Sequence, residues 1–378
     1  MKERMKRFLT PGLLALACLS FCAGAEADTT TVNNYAELRD AVKNPASLDI
    51  RLGADITITA AIPVSLDVKL DGAGKKLIAG GAFRHFNVTD TPTLEFKNVT
   101  FDGGSLGGGV PVPSGGKVKF EGGAFKNNKA AEGGAISVAS GGEATFDGTA
   151  FKGNQATGNG GAVSLQMGGK AAFKDDVLFS DNHATGSAGA LYVGKGEDVT
   201  LSSGTLFRDN SSGSDGGAIY VDTGRLTLPS GVSLTTNDAK GNGGAVSLGG
   251  AATAKFGNNS VTHNHAKNGG AVYCPAGSKL EFTQDIAFSM NSADEGGGAV
   301  YSDTLALDSE PHELTFGNNH AKTKGGALYV TNSVTVNGNV TFSDNISDGT
   351  GGAVHSDGNV TVQGGTFRKK TTDRKSVV

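Results

Sequence analysis

Tryptophan is absent from the 378 residues, Met occurs four times and Pro nine times. Cysteine is rarer: Cys18 and Cys22 lie near the N-terminus, and Cys274 stands alone in the rest of the chain. With the first two removed in a leader, no internal disulfide can form, so an exported chain must rely on its core and backbone ladders. Long apolar runs are missing as well. The run from Leu13 to Ala23 is too short to span a bilayer. Charge is close to balanced, with 33 Lys and Arg against 37 Asp and Glu, a net of −4 without basic blocks. Nothing in that balance favours nucleic acid. Neither a G-x-x-x-x-G-K-[ST] loop nor a G-G-x-G-x-D nonapeptide occurs, so phosphate binding and that type of calcium binding are not indicated. What the chain has in excess is glycine, 59 residues, too many for a helical protein.

The glycines are periodic. Two phrases recur, F-x-x-N and G-G-A followed by an aliphatic residue. The first pairs Phe125 with Asn128, Phe151 with Asn154, Phe179 with Asn182, Phe207 with Asn210, Phe288 with Asn291, Phe316 with Asn319 and Phe342 with Asn345. Leu234 and Val261 replace Phe in the two remaining beats, ahead of Asn237 and Asn264. The second phrase begins at Gly133-Gly134, Gly160-Gly161, Gly216-Gly217, Gly243, Gly269, Gly297, Gly325-Gly326 and Gly351, with Ala188-Gly189-Ala190 as a variant. Copies lie 26 to 28 residues apart, a period that marks a solenoid whose units cover one another's apolar faces.

Each unit is too short and glycine-rich for paired helices. The unit at Gly216 shows alternation in GGAIYV, Leu226-Thr227-Leu228 and Val232-Ser233-Leu234, the sign of half-buried strands. Three short strands per coil predict an all-β, right-handed parallel β-helix, with coils about 4.8 Å apart. The Gly pair then serves a corner needing positive φ or close backbone approach. The Phe residues stack inside, and the Asn residues form an amide ladder, so both motifs read as scaffold.

Residues 1–27 read as a signal peptide: Lys2, Arg4, Lys6 and Arg7 precede the apolar run, and Ala25 and Ala27 suit cleavage before Asp28. Residues 28–104 read as an N-terminal cap and first coils. Leu38, Ala41 and Val42 share one helical face there, and alternating strands follow at Ile50–Leu52, Ile56–Ile58, Val68–Leu70, Leu77–Ile78 and Leu94–Phe96. The Pro- and Gly-rich stretch from Gly103 to Gly116 reads as an irregular loop, and residues 105–370 as the regular repeat. Residues 371–378 read as a non-native tail. Lys370 stands where the Asn after Phe367 belongs, and Asp373–Val378 is what a common sequencing adapter encodes in frame.

GGA-[ILV] alternating with F-x-x-N, behind a leader and a β-helical lead-in, resembles the passenger of chlamydial polymorphic outer-membrane proteins across roughly residues 28–370. That resemblance implies an autotransporter exported by the type V route, displayed at the outer-membrane surface or released. It implies an adhesin for a protein or glycan on host or neighbouring cells, without a small-molecule cofactor. The family's C-terminal β-barrel translocator has no counterpart in this chain. Two alternatives stand beside this reading: a polysaccharide-active β-helix enzyme, and a structural surface stalk.

An enzyme needs converging carboxylates or metal ligands. Asp181 and Asp209 share a column in adjacent coils, near the spacing of a retaining glycosidase pair. Asn127, Gly153, Thr236, His263 and Met290 hold the same position elsewhere, so the column reads as a solvated corner. His183, His265 and His320 fall in coils too far apart for one metal centre, and His263 with His265 supplies only two ligands. The stronger pattern lies in the strand after GGA. Its outward position reads Ser137, Ser164, Tyr192, Tyr220, Ser247, Tyr273, Tyr301, Tyr329 and His355, holding five of the six Tyr in the chain. The candidate binding strip is therefore an exposed column of Tyr192, Tyr220, Tyr273, Tyr301 and Tyr329; no catalytic or metal residue is assigned.

Overall fold

Each repeat makes one circuit of a parallel β-solenoid. The computed structural model describes residues 29–45, 49–308 and 310–368; residues 1–27, read above as a leader, and 371–378, read as a tail, lie outside the described residues. The strands that carry the motif Phe stack into a parallel sheet of 13. The strands after GGA build a second sheet of 13, and the middle strands of the early coils a sheet of seven.

Three features depart from the sequence reading. A further sheet of nine two-residue strands follows the motif Asn, from Lys129–Ala130 to Ile346–Ser347. In later coils the GGA strand and the middle strand fuse, as in Ile219–Leu228 and Leu328–Asn337. A register shift between Val221 and Thr223 takes the corner as a bulge instead of a turn. The stretch from Gly103 to Gly116 is not wholly irregular, because Val110–Val112 pairs in register with Ile136–Val138. Pro111 is accommodated there at the sheet edge, where its missing N–H costs no ladder bond.

The interior is filled by phenylalanine in two columns. Phe101, Phe125, Phe151, Phe179 and Phe207 stack with centroids 4.6 to 5.3 Å apart. Phe96, Phe120, Phe146 and Phe173, from the middle strands, stack opposite at 5.2 to 5.5 Å. The two columns meet edge to face, the arrangement ring quadrupoles favour. Phe288, Phe316, Phe342 and Phe367 resume the first column, with buried Leu234 and Val261 bridging the interval.

Beside the Phe column runs the amide ladder. Asn128, Asn154, Asn182, Asn210, Asn237, Asn264, Asn291, Asn319 and Asn345 are linked Nδ2 to Oδ1 at 2.8 to 3.0 Å. Asn210 is typical. Its Nδ2 also donates to the carbonyl of Phe179, and its Oδ1 accepts from the backbone N–H of Asn182.

The two glycines of each pair do different work. Gly133, Gly160, Gly216 and Gly325 adopt φ of +53°, +67°, +69° and +63°. Ala188 takes the same conformation at +64°, so this position tolerates a Cβ under strain. The second glycine does not: a Cβ on Gly134, Gly161, Gly217 or Gly326 would lie 2.1 to 2.3 Å from the carbonyl oxygen of the next coil's glycine.

Helix α1, Tyr35–Ala41, sits at the N-terminal end with Leu38, Ala41 and Val42 buried. Asn34 caps it by accepting from the Glu37 N–H at 3.0 Å, and the Glu37 carboxylate accepts from Asn33. Covering the first coil removes an open strand edge.

Gly217→Ala should therefore cost more than Gly216→Ala. The first forces neighbouring coils apart. The second sets a Cβ 2.3 Å from the Ile219 carbonyl oxygen of its own coil, a contact that a local shift relieves at Ala188, and adds the roughly 1–2 kcal/mol of a left-handed residue. Urea midpoints of the two variants check the order. Asn210→Ala should be worse than Gly216→Ala, since it orphans several buried groups at about 1–3 kcal/mol each. The same titration reads it.

Candidate functional site: the tyrosine column

Strand register brings the expected column together. Ser137 pairs with Ser164, Ser164 with Tyr192, Tyr192 with Tyr220, Tyr220 with Ser247, Ser247 with Tyr273, Tyr273 with Tyr301, Tyr301 with Tyr329, and Tyr329 with His355. Tyr192 and Tyr220 stack at 5.6 Å and 6°, and Tyr273 and Tyr301 at 4.9 Å and 26°. Tyr329 turns edge-on to Tyr301, at 87°.

The column is half-buried and not exposed as expected. Alternation tells which way a side chain leaves the strand, but not how far it lies against its neighbours. Tyr329 lies over Gly296 in the coil before, where a Cβ would fall 2.3 Å from the ring. Ser164 and Ser247, small residues beside large ones, are only 2 % and 1 % exposed. Burial also pushes the phenols upward, Tyr220 and Tyr301 to about 12, with Asp222 and Tyr273 respectively adding to the effect. All five hydroxyls stay protonated at neutral pH.

Polar margins that the sequence reading missed flank the rings. The residue before each Gly pair forms a second ladder. Asn159 donates its N–H to Glu132, Asn242 donates its N–H to Asp215 at 2.7 Å, and the Asn268 amide donates to Asn242. On the other side stand Asp222, Asp303 and Asp357. At the C-terminal end the margins close over Tyr329: its hydroxyl donates to Asp357 at 2.5 Å, and Lys324 Nζ lies 2.8 Å from the same carboxylate. Lys324 first, then Tyr329, hold the Asp357 carboxyl at about 2. The one available signal was position: polar residues recur immediately before GG, and Asp222, Asp303 and Asp357 each stand two residues after the outward position.

Asp181 and Asp209 are exposed and occupy a left-handed corner, φ +58° and +56°, shared by Asn127, Gly153, Thr236, His263 and Met290. Asp209 accepts from Thr236 and pairs with Arg208. The column is a conformational requirement that Asp and Asn meet cheaply. His183 bonds to Ser211, and His320 lies 3.2 Å from Asp348. Among the described residues no three His, Cys, Asp or Glu gather as metal ligands. Cys274 is buried, and burial pushes its thiol up to about 11. A cleft of about 310 Å³ over the early middle strands is lined by alternating charges of both signs, among them the pairs Arg51 with Asp71 and Lys119 with Glu121.

Three families match parts of the chain. Residues 84–261 match a right-handed β-helix region, and residues 29–135 a pectate lyase-like adhesive domain. Residues 313–331 and 339–357 match the Chlamydia polymorphic membrane protein repeat. The chain thus combines a right-handed β-helix with these repeats and an adhesive-type domain. No curated protein matches it. Among solved structures, "L. reuteri 53608 SRRP" aligns over 90 % of this chain and all of that one, at 13 % identity. The TM-score is 0.22, too low to carry an argument.

His265 gives a pH prediction. Its Nδ1 lies 2.7 Å from Asp238 and its Nε2 3.5 Å from Asp294, spanning neighbouring coils. The hydrogen bond with Asp238 raises the imidazole above its ordinary value. A raised folded-state pKa stabilises fully below the unfolded value and is lost as pH rises through the folded one. His265→Gln should therefore lower the melting temperature more at about pH 5.5 than at about pH 8.5. Thermal melts at the two pH values measure it.

Proposed function

We propose that this chain is the surface-displayed passenger of an autotransporter, acting as an adhesin toward host or neighbouring cells. The leader at 1–27 would export it, and an outer-membrane β-barrel would be its partner in display. The observation that carries the reading is the tyrosine column, five aromatic residues on one face of an otherwise scaffold-built repeat. Tyr offers large amphipathic contact area at low entropy cost and is enriched at binding hot spots. The match to an adhesive-type domain and the polymorphic membrane protein repeats support the same reading. Asp181 and Asp209 do not carry the enzyme alternative, because their corner is filled by whatever residue accepts a left-handed backbone.

Replacing Tyr273, Tyr301 and Tyr329 together by Ser tests the column. Ser already stands there at 137, 164 and 247, so the β-type circular dichroism should persist. Cell adhesion should fall roughly tenfold, the loss of about 1.4 kcal/mol of binding. A folded triple variant that adheres as well as the parent reduces the column to scaffold.

A further inference from the structure

We propose that the tyrosine lane recognises a linear, uncharged glycan; this rests on the adhesin reading and names the chemistry of its partner. Three observations select that class. The first is charge. The two margin columns, before GG and two residues after the tyrosine position, contain the carboxylates Glu132, Asp215, Asp222, Asp303 and Asp357 and one ammonium, Lys324. Lys324 is held by Asp357 and Tyr329. Sialylated or sulfated sugars, nucleic acid and anionic lipid would meet like charge beside Tyr220, Tyr301 and at both ends of the lane, and a free cation nowhere in these margin columns.

The second observation is that most of those carboxylates are not bare. Glu132 accepts from Asn159, Asp215 from Asn242, Asp303 from Thr331 and Asp357 from Lys324 and Tyr329. Only Asp357 is offset by a cation of this chain; the neutral donors leave the charge of the other carboxylates in place. Hydroxyls need only the remaining lone pairs, since each carboxylate can accept about four hydrogen bonds. The phenols, protonated at neutral pH, are donors as well as acceptors toward the same hydroxyls.

The third observation is shape. The GGA strand has three residues between corners in many coils, as in Leu191–Val193 and Val272–Cys274, so the lane is one side chain wide. A stable protein partner covers about 800 Å² on each side, which a lane of this width does not provide. The lane is instead long and evenly stepped, one coil about every 4.8 Å, with a ring at every coil from Tyr192 to Tyr329 except that of Ser247. A linear polymer of uncharged sugar rings has the matching build: apolar C–H faces against aromatic carbon and hydroxyls along both margins.

The test uses the full chain on cells pretreated in four ways. Periodate, which cleaves the vicinal diols of sugar rings, should reduce adhesion roughly tenfold, the scale of about 1.4 kcal/mol. Sialidase and heparinase should leave it unchanged, as should competition with a Lys-rich peptide. The residual binding after periodate should no longer distinguish the parent from the Tyr273→Ser, Tyr301→Ser, Tyr329→Ser variant. Adhesion that survives periodate, or that sialidase, heparinase or the peptide abolishes, overturns the glycan inference while leaving the adhesin reading intact. Periodate-sensitive adhesion that the triple variant retains in full also overturns it, because the sugar is then held elsewhere. A parent chain that does not adhere to any cell removes the adhesin reading, and this inference with it.

Discussion

The amide ladder is the constraint on which the remaining structure depends. Each Asn side chain in its interior closes bonds to the coils on both sides, so it leaves no buried donor or acceptor unpaired. Such a network is stable only when every member is present, since one orphaned buried group costs about 1–3 kcal/mol. The ladder therefore fixes the period: a coil can lengthen or shorten only at corners that still return the next Asn to the column. The exception lies where the ladder begins. Asn128 Oδ1 is buried without a hydrogen-bond partner, and the lead-in coil offers glycine after Phe101-Asp102 where an Asn would donate. Nearby Arg84 performs an analogous task for the GGA column, donating to the carbonyls of Glu132, Gly134 and Ala135 above the Gly107–Gly109 run of the lead-in coil.

What was legible in the sequence was whatever a single residue type repeats. Phe151, Asn154, Gly160 and Gly161 recur because each position sets a narrow demand: ring stacking, an amide that both donates and accepts, a left-handed turn, and a backbone with no Cβ; Leu234, Val261 and Ala188 are the few exceptions. The second Phe column was less legible because its members change identity midway. Phe96, Phe120, Phe146 and Phe173 give way to Leu201 and Leu228 before Phe256 returns, all of them buried. The two-residue strands were invisible for a different reason: alternation cannot be detected over two residues. The fused strands from Ile219 onward were missed because a bulge leaves no Gly-Asn signature when the strand continues through it.

The polar margins illustrate a further limit. Glu132, Asn159, Asp215, Asn242 and Asn268 occupy one column and are held by bonds along it, yet they mix carboxylates with amides, and Lys324 in the same column turns across the lane to Asp357 instead. Hydrogen bonding along the ladder requires a polar group of the right reach and nothing more specific. The left-handed corner of Asp181 and Asp209 is the reverse case, in which one backbone conformation recurs through unlike side chains. Met290 and Thr236 accept φ of +56° and +52° there, at about 1–2 kcal/mol each, and the surrounding ladders hold them in place. Chemical similarity between two residues in such a column says little about shared chemistry.

This separation of roles explains how a repeat scaffold supports a changeable surface. The Asn column cannot vary without orphaning a neighbour and the Phe columns admit only apolar substitutes such as Leu234 and Val261, whereas the outward position of the GGA strand carries Ser, Tyr or His over the same backbone. Ser247 divides the tyrosines into a stack of two and a run of three, each with rings braced against one another and therefore ordered before any ligand arrives. Pre-ordered rings lose little entropy on binding, which favours many weak contacts over one deep pocket. On the adhesin reading, each added coil adds one step of lane and one more weak contact in fixed register. Contacts linked in that way multiply in effect, because the second forms at the high local concentration set by the first. Length of the solenoid, more than the identity of any one ring, would then set the strength of attachment.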